Sequence, residues 1–304
     1  MKKFIRILVL LVCIAVLVYN ANYLYNWAKE NNAAKAEQDE AFTLFDADAN
    51  EELDIENEEL NAEEEMEKLD EEIAKLEKEL ESLKKDKSNP KNKARIAEIK
   101  AKLSQLKNKK TELNKKISTL RKKTTELKAK NLAKVQKKYK NVVGFIKVTG
   151  TNIKYFVTQY RNNTYYLTHS LNGAYNSAGN PFLDYRNSLD DQALVIYGHN
   201  RLDKSQFGSL KNVQNKPNTK ITFTTNQYTH EYKIFSTYII KNESFFNRVS
   251  FNNNYDLFLK TITKRSKYKY GVKVGKNDKI LTLSTCYGAS RLNNRLVVHS
   301  KMIK

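Results

Sequence analysis

Cys286 is the only cysteine beyond Cys13. It closes the run Thr-Leu-Ser-Thr-Cys, which continues an alternating, β-prone stretch from Lys279 to Leu283. A thiol where a strand opens into a loop is placed to react, because scaffold strands commonly present reactive groups at such ends. At neutral pH a thiol is a weak nucleophile until a base or cation favours its thiolate, so Cys286 needs partners. Of the four histidines, His199 is the favoured base, since it follows the apolar run ALVIYG and precedes Asn200, again at a strand end. His169 lies in a polar Thr-His-Ser stretch, His230 in a turn-like region and His299 inside a strand, and these three read as satisfied surface or core residues. Thiolate attack on a carbonyl develops an oxyanion, which needs a hydrogen-bond donor. Arg295 opens the run RLVVHSKMI nine residues past Cys286, and a hairpin-like return would bring its guanidinium beside the sulfur. Arg291, in the polar connection ASRLNN, is the alternative donor. Taken singly, Cys286 also admits an inert reading as a buried core thiol. No metal and no cofactor is expected.

The 304 residues suffice for one or two domains, and apolar and aromatic residues concentrate after Asn141. The formal net charge is +20, and residues 141–304 carry 24 Lys and Arg against 8 Asp and Glu. No finger, RNP-like or helix-turn-helix pattern accompanies that charge, which argues against a nucleic-acid partner. A basic surface facing an anionic cell envelope fits better, with a simple lysine-rich bias as the alternative.

Residues Ile7 to Tyr19 are uninterruptedly apolar or aromatic, follow two lysines and an arginine, and lead into Tyr23, Tyr25 and Trp27. The run is short against the ~20 residues of a bilayer core, so a cleaved signal peptide competes with an uncleaved anchor. Phe4 and Ile5 lengthen the run, the aromatics suit the headgroup region, and no clear small-residue cleavage site follows. The prediction is a signal-anchor at 1–28, in contact with the membrane through residues 4–27, with the N-terminus cytoplasmic and the remainder outside. The single ectodomain thiol agrees, because an exported protein with one unpaired cysteine either dimerises through it or uses it.

Residues 29–55 are polar and mixed without a sustained period and read as a juxtamembrane linker. From 56 to 138 a heptad seam appears, with Leu69, Ile73, Leu76, Leu80 and Leu83, then Ile96, Ile99, Leu103, Leu106, Leu113, Ile117, Leu120 and Leu127. Lys110 and Thr124 weaken it, and Ser88 to Asn92 with Pro90 interrupt it. Residues 51–82 hold sixteen acidic and three basic side chains, while residues 91–140 hold nineteen basic and three acidic. Two oppositely charged helices joined by a turn should fold back as an antiparallel hairpin, with an intermolecular coiled coil as the rival arrangement.

After Tyr139 eight β-like runs follow: NVVGFIKV, IKYFVTQ, TYYLT, ALVIYG, TKITFTT, YKIFSTYII, KILTLST and RLVVHSKMI. They predict a mainly β domain over 139–304, a closed barrel of about eight strands. Helices are expected around Leu202 to Leu210 and Asn254 to Lys264.

TLSTC, YGHN and a following RLVV resemble the sortases, membrane-anchored cysteine transpeptidases of Gram-positive bacteria. GFIKVTGTNIKYFVTQ, YYLTHSLNGAYNSAGNPFLDYRN and IYGHNRLDKSQFGSLKN are similar to the class B group, and the likeness spans about residues 140–304. Residues 29–138 depart from it, Gly144-Phe145 stands where Gly-Trp is commoner, and Tyr287 follows the cysteine where a charge is frequent. The resemblance implies a sortase-like barrel in which Cys286 attacks a C-terminal sorting signal of an exported protein, of the LPXTG or NPQTN kind, and forms a thioester. It implies that His199 shuttles the proton, that Arg295 steadies the oxyanion, and that the acceptor is a peptidoglycan amine. It also makes Tyr197, Ser284 and Thr285 candidates for lining the substrate groove, against plain strand-end packing. A pilin-polymerising sortase, a degenerate peptide-binding barrel without catalysis, and an unrelated peptidoglycan cross-linking enzyme are the alternatives. The last lacks its expected local His-Gly pattern.

Overall fold

The computed structural model describes residues 2–85, 90–241, 243, 245–288 and 292–303. They form two compact units, one built from Met1–Asp46 with Ala129–Lys304 and the other from Ala47–Lys128.

In the second unit, α2 (Ala49–Leu83) and the first part of α3 (Pro90–Lys138) lie side by side. Ala62 and Leu69 pack with Leu113 and Ile117, while Ile73 and Leu76 pack with Ile99 and Leu103. Ion pairs read in opposite directions along the two helices, from Glu79–Arg95 (2.8 Å) through Glu72–Lys102 (2.7 Å) and Glu58–Lys116 (2.8 Å) to Glu52–Lys128 (2.8 Å). The helices are therefore antiparallel within one chain. Exposed pairs of this kind contribute about 0–1 kcal/mol each, so the apolar seam carries the stability and the charges select the pairing. Lys110 escapes the seam by pairing with Asp70, and Thr124 turns its hydroxyl to the Leu120 carbonyl (3.2 Å). Of the interruption at Ser88 to Asn92, Ser88 and Asn89 lie outside the described residues.

The first unit begins with α1, continuous from Lys2 to Phe45 and long and apolar enough to cross a membrane. The expected linker from residue 29 is thus helical as far as Phe45, and the next helix starts at Ala49 rather than at residue 56. The cause is tertiary. Gln38, Ala41 and Phe45 are buried, and Phe42 and Phe45 pack their rings against Phe145 and Phe156 at centroid distances of 5.0–5.6 Å. Contacts this far along the chain are invisible to a local period.

Eight strands close a barrel in the order β1-β2-β3-β4-β7-β8-β6-β5. They are β1 (Val142–Val148), β2 (Lys154–Thr158), β3 (Phe182–Leu183), β4 (Ala193–Tyr197), β5 (Lys220–Thr224), β6 (Thr229–Lys241), β7 (Ile280–Tyr287) and β8 (Asn294–Met302). The predicted strand in TYYLT is a short 3-10 turn, Tyr165–Leu167, and the two-residue β3 takes its place in the count. Around Leu202 to Leu210 the chain makes turns, followed by a 3-10 turn at Leu210–Val213, instead of a helix. His230 lies within β6.

Alternation assigns the two faces of the wall. Leu281 and Leu283 of β7 point inward with Ile146, Ile196, Phe223, Leu296 and Val298. Ile280 and Val297 point outward, where α4 (Tyr255–Lys264) covers them with Phe258, Leu259 and Ile262. On this outer face His299 is fully buried, with Nδ1 on the Thr282 hydroxyl and Nε2 on the Tyr238 hydroxyl, each at 2.8 Å.

Burial holds the His299 pKa down at about 3 against an ordinary 6.5. The folded barrel keeps the imidazole neutral, whereas the unfolded chain takes up the proton below that ordinary value. The stabilisation is complete above about pH 6.5 and is lost as the pH falls toward 3, by about 1.4 kcal/mol per unit. The melting temperature, followed by circular dichroism, is expected to drop steadily from pH ~7 to ~5, and His299→Gln is expected to flatten that slope. An equal slope in both proteins would assign the acid sensitivity to other groups.

Candidate active site

Strands β4, β7 and β8 are neighbours in the wall, and their registers place Cys286 opposite Arg295 beside the end of β4. β4 and β7 run parallel with Tyr197 opposite Ser284, and Gly198 N–H continues the ladder onto the Ser284 carbonyl (3.2 Å). The register ends there, so His199 lies two residues past the last paired residue of β4, as Cys286 lies two residues past Ser284. β7 and β8 run antiparallel with Cys286 directly opposite Arg295, and such pairs share a face with Cβ atoms about 5 Å apart. Cys286, Arg295 and the end of β4 therefore meet on the outer face, beyond the part that α4 covers.

Burial changes at Cys286. Ile280 through Thr285 are buried, whereas Cys286 is exposed, so the thiol emerges where the wall ends. Arg295 is half-buried and makes one contact, from Nη1 to the Asn294 carbonyl (3.2 Å). Among the described residues no carboxylate pairs with it, which leaves most of its donors for a ligand. Arg291, the rival donor, lies outside the described residues.

His199 is fixed on three sides. Its backbone N–H donates to Gln206 Oε1 (2.9 Å), its carbonyl accepts from Phe207 N–H (3.0 Å), and Nε2 lies 2.8 Å from the Leu167 carbonyl. A carbonyl only accepts, so Nε2 carries a proton in this contact, and Nδ1 is the ring nitrogen left to exchange one. The glycine of YGHN answers a steric demand, because a Cβ at Gly198 would meet the buried Phe207 ring at 2.8 Å. Gln206 is itself buried, donates to the Ala178 carbonyl and takes the Tyr155 hydroxyl as acceptor for its N–H (2.8 Å).

The three groove candidates separate. Ser284 lies on the same face as Cys286, two residues away, and its buried hydroxyl has no protein partner. Thr285, also buried and unpartnered, falls on the inward face with Leu281 and Leu283, so it does not share the Cys286 face. Tyr197 shares the outer face, but its hydroxyl is committed. It donates to Asp184 Oδ2 (2.8 Å) and accepts from Asn247 Nδ2 (3.1 Å).

Asp184 is wholly buried and was not singled out from sequence. Arg186 clamps it through Nε (2.9 Å) and Nη2 (2.7 Å), the Arg186 backbone N–H adds 3.0 Å, and Asn163 Nδ2 adds another 3.0 Å. Burial alone would raise this carboxyl, but the Arg186 and Tyr197 hydrogen bonds prevail and hold it below its usual range. Burial, reinforced by the Asp184 charge, pushes the Tyr197 phenol well above its ordinary range. The only available sequence signal was the pair Asp184 and Arg186 flanking a strand end. The Leu167 carbonyl had none, since backbone acceptors carry no residue signature.

The sortase-domain family model matches residues 146–303. A curated sortase B of Listeria monocytogenes is 30% identical over 181 residues, covering 57% of this chain and 74% of the relative. The solved Staphylococcus aureus sortase B–substrate complex aligns at a TM-score of 0.54 with 29% identity, over 58% of this chain and 86% of that one. A sortase B complexed with triglycine aligns at 0.55 with 28% identity, over 66% of this chain and 98% of that one. The chain belongs to the sortase family, cysteine transpeptidases, and within it to class B. Residues 47–128 lie outside the matched domain.

Removing one partner of a buried ion pair strands the other charge, at a cost of about 3–5 kcal/mol. Arg186 is 38% exposed, so the lower end applies. Asp184→Ala is expected to destabilise the barrel by about 3 kcal/mol in urea denaturation, while Tyr197→Phe costs about 1 kcal/mol.

Proposed function

We propose that this sortase joins a protein's C-terminal sorting signal to an amine through a Cys286 thioester. The observation that carries the reading is the pairing of Cys286 with Arg295 at the open end of β7 and β8, with His199 two residues past the end of the neighbouring β4. The Cys286 thiolate attacks the carbonyl of the signal's threonine, and its C–N bond to the next residue breaks as the leaving amine takes a proton from His199. An incoming amine then surrenders a proton to His199, attacks the thioester and releases the thiolate. Arg295, free of carboxylates among the described residues, donates to the substrate carbonyl as it becomes an oxyanion. Ser284, unpartnered and on the same face, is the groove residue with hydrogen bonds to give, and Tyr197 shapes the wall beside it.

A substrate complex and a triglycine complex are known for similar sortases B, and on that likeness the donor here is a sorting-signal peptide and the acceptor a peptidoglycan amine. Lys2, Lys3 and Arg6 before the apolar run favour a cytoplasmic N-terminus, which puts the barrel outside the cell as a single-pass membrane protein. In this division residues 1–28 anchor, the hairpin at 56–138 spaces or docks, and 139–304 catalyse.

The full chain in neutral detergent, incubated with sorting-signal peptides and candidate amines, is expected to give an acyl-enzyme mass on the peptide holding Cys286. Cys286→Ala abolishes that adduct without altering the melting temperature, because the side chain is exposed. Arg295→Ala lowers kcat by roughly 10²–10³ with the adduct still on Cys286. Full turnover in the Cys286→Ala chain, or peptide binding with no adduct in the unaltered one, would sink the proposal in favour of a non-catalytic peptide-binding barrel.

A further inference from the structure

Away from Cys286, a cavity of about 650 Å³ lies between α1 and the barrel loops. One wall is the helix from Trp27 to Phe42, and the other comes from the β1–β2 turn and residues 178–181 and 201–206. The depth of the cavity is apolar or already satisfied. Phe42 and Leu171 supply hydrocarbon, while buried Gln38 is held by Asn180 Oδ1 (2.7 Å) and Phe156 N–H (3.1 Å).

The rim is cationic. Lys35, Lys154, Arg201 and Lys204 face it, against Asp39 and Asp203. Arg201 is engaged, with Asp203 at 3.6 Å, Asn31 Oδ1 as acceptor and the Trp27 ring 5.9 Å beneath it. Asp203 also accepts from Ser205 N–H (2.9 Å) and Oγ (2.6 Å). The three lysines have no ion-pair partner among the described residues, so the rim carries an uncompensated positive charge. Three ammonium groups over an apolar floor suit an anion attached to a hydrocarbon better than a bare anion.

The height of the cavity identifies the source of such an anion. α1 is one helix, so Phe4 to Trp27 spans roughly 35 Å at ~1.5 Å per residue, against about 30 Å of bilayer hydrocarbon. Trp27, at the end of a group with Tyr19, Tyr23 and Tyr25, therefore sits in the headgroup layer, where such rings are enriched. Asn31 and Lys35 follow one and two turns above it.

We propose that this cavity binds the phosphate headgroup of an anionic membrane lipid, held by Lys35, Lys154 and Lys204 with Trp27 as its lower wall. The inference rests on the reading that α1 spans the membrane. Occupied, the cavity ties the loop from Arg201 to Gln206 to the lipid surface, and that loop supplies the Gln206 acceptor for the His199 backbone.

Trp27 is the only tryptophan in the chain, so its fluorescence reports on the cavity directly. The full chain in neutral detergent is titrated with dihexanoyl phosphatidylglycerol, and in parallel with dihexanoyl phosphatidylcholine, glycerol phosphate and inorganic phosphate. A saturable change with phosphatidylglycerol alone is expected. It should weaken at least tenfold in Lys35→Gln/Lys154→Gln/Lys204→Gln and stay unchanged in the equally neutralised Lys211→Gln/Lys216→Gln/Lys264→Gln. Equal responses to phosphatidylcholine, or equal weakening in both triple variants, overturn the site. Equal saturation by glycerol phosphate or inorganic phosphate overturns the lipid assignment in favour of a small-anion site. Sedimentation with vesicles of phosphatidylcholine alone tests the membrane span separately, and a chain that stays in the supernatant overturns the span and with it the lipid source.

Discussion

The pairing of β4 with β7 is the constraint on which the rest of the site depends. β7 is buried on both faces from Ile280 to Thr285, so its sequence, Ile-Leu-Thr-Leu-Ser-Thr, is apolar inward up to the terminal Thr285 and a mixture of apolar residue and hydroxyl outward. A slip of one residue would turn Leu281 and Leu283 out of the barrel and bring Thr282 and Ser284 into it. Each leucine is worth about 1.5–3 kcal/mol of burial, far more than the reach of any single polar contact at the rim. The inward leucines therefore fix the register, and the register in turn decides which face Cys286 occupies and which β8 residue lies opposite. The placement of Cys286 opposite Arg295 is a consequence of core packing several residues away.

The outer face of the same strands shows how polar groups are tolerated beside a nucleophile. Buried Asp184 is clamped by the exposed Arg186, and buried His299 is bonded on both ring nitrogens to Thr282 and Tyr238, one an ion pair and the other a neutral network. Both stabilise the wall at a fixed protonation state. Ser284 differs, since its hydroxyl is buried next to Cys286 without a partner. An unmet hydroxyl in a protein interior costs about 1–3 kcal/mol, and a structure retains one most readily where a ligand will complete it. Thr285 is unmet in the same way on the inward face, so what distinguishes Ser284 is that it shares the face of Cys286.

The barrel was legible in the sequence wherever alternation ran for five residues or more, as in KILTL and RLVVHSKMI. It failed for β3, because two residues cannot display a period, and for TYYLT, whose aromatic content mimics a strand while its chain makes a 3-10 turn. The helix expected near Leu202 was an apolar pattern borrowed from Phe207 and Leu210, which are buried by turns instead. Cys286, His199 and Arg295 could be named as candidates because each has a side chain with chemistry at a strand end. The Leu167 carbonyl and the Gln206 amide could not, since one is backbone and the other owes its role to a fold that returns it to His199. Residues 29–45 looked like a linker because half of their helical face is dictated by Phe145 and Phe156, more than a hundred positions away.

That last contact also explains how a sortase accommodates eighty residues of foreign helix. Phe45, just before the inserted unit begins, packs in one cluster with Leu132 and Val135, just after it ends. The chain leaves and re-enters the first unit at a single point, so the entropy of closing the excursion is limited by a pre-formed core rather than by the barrel. The aromatic stack adds about 0.5–1.5 kcal/mol per ring pair beyond burial, and it acts on both sides of the insertion at once. Strand registers downstream never experience the insertion's length. The same stack ties α1 to the barrel, because α1 reaches Phe45 without a break and ends inside the core. On the proposed reading that α1 spans a membrane, a flexible tether would let the Cys286 rim sample many heights above the lipid, whereas a continuous helix locked at its end by four phenylalanines sets one. On that reading, the packing at the two ends of residues 47–128 is also the packing that sets the height of Cys286.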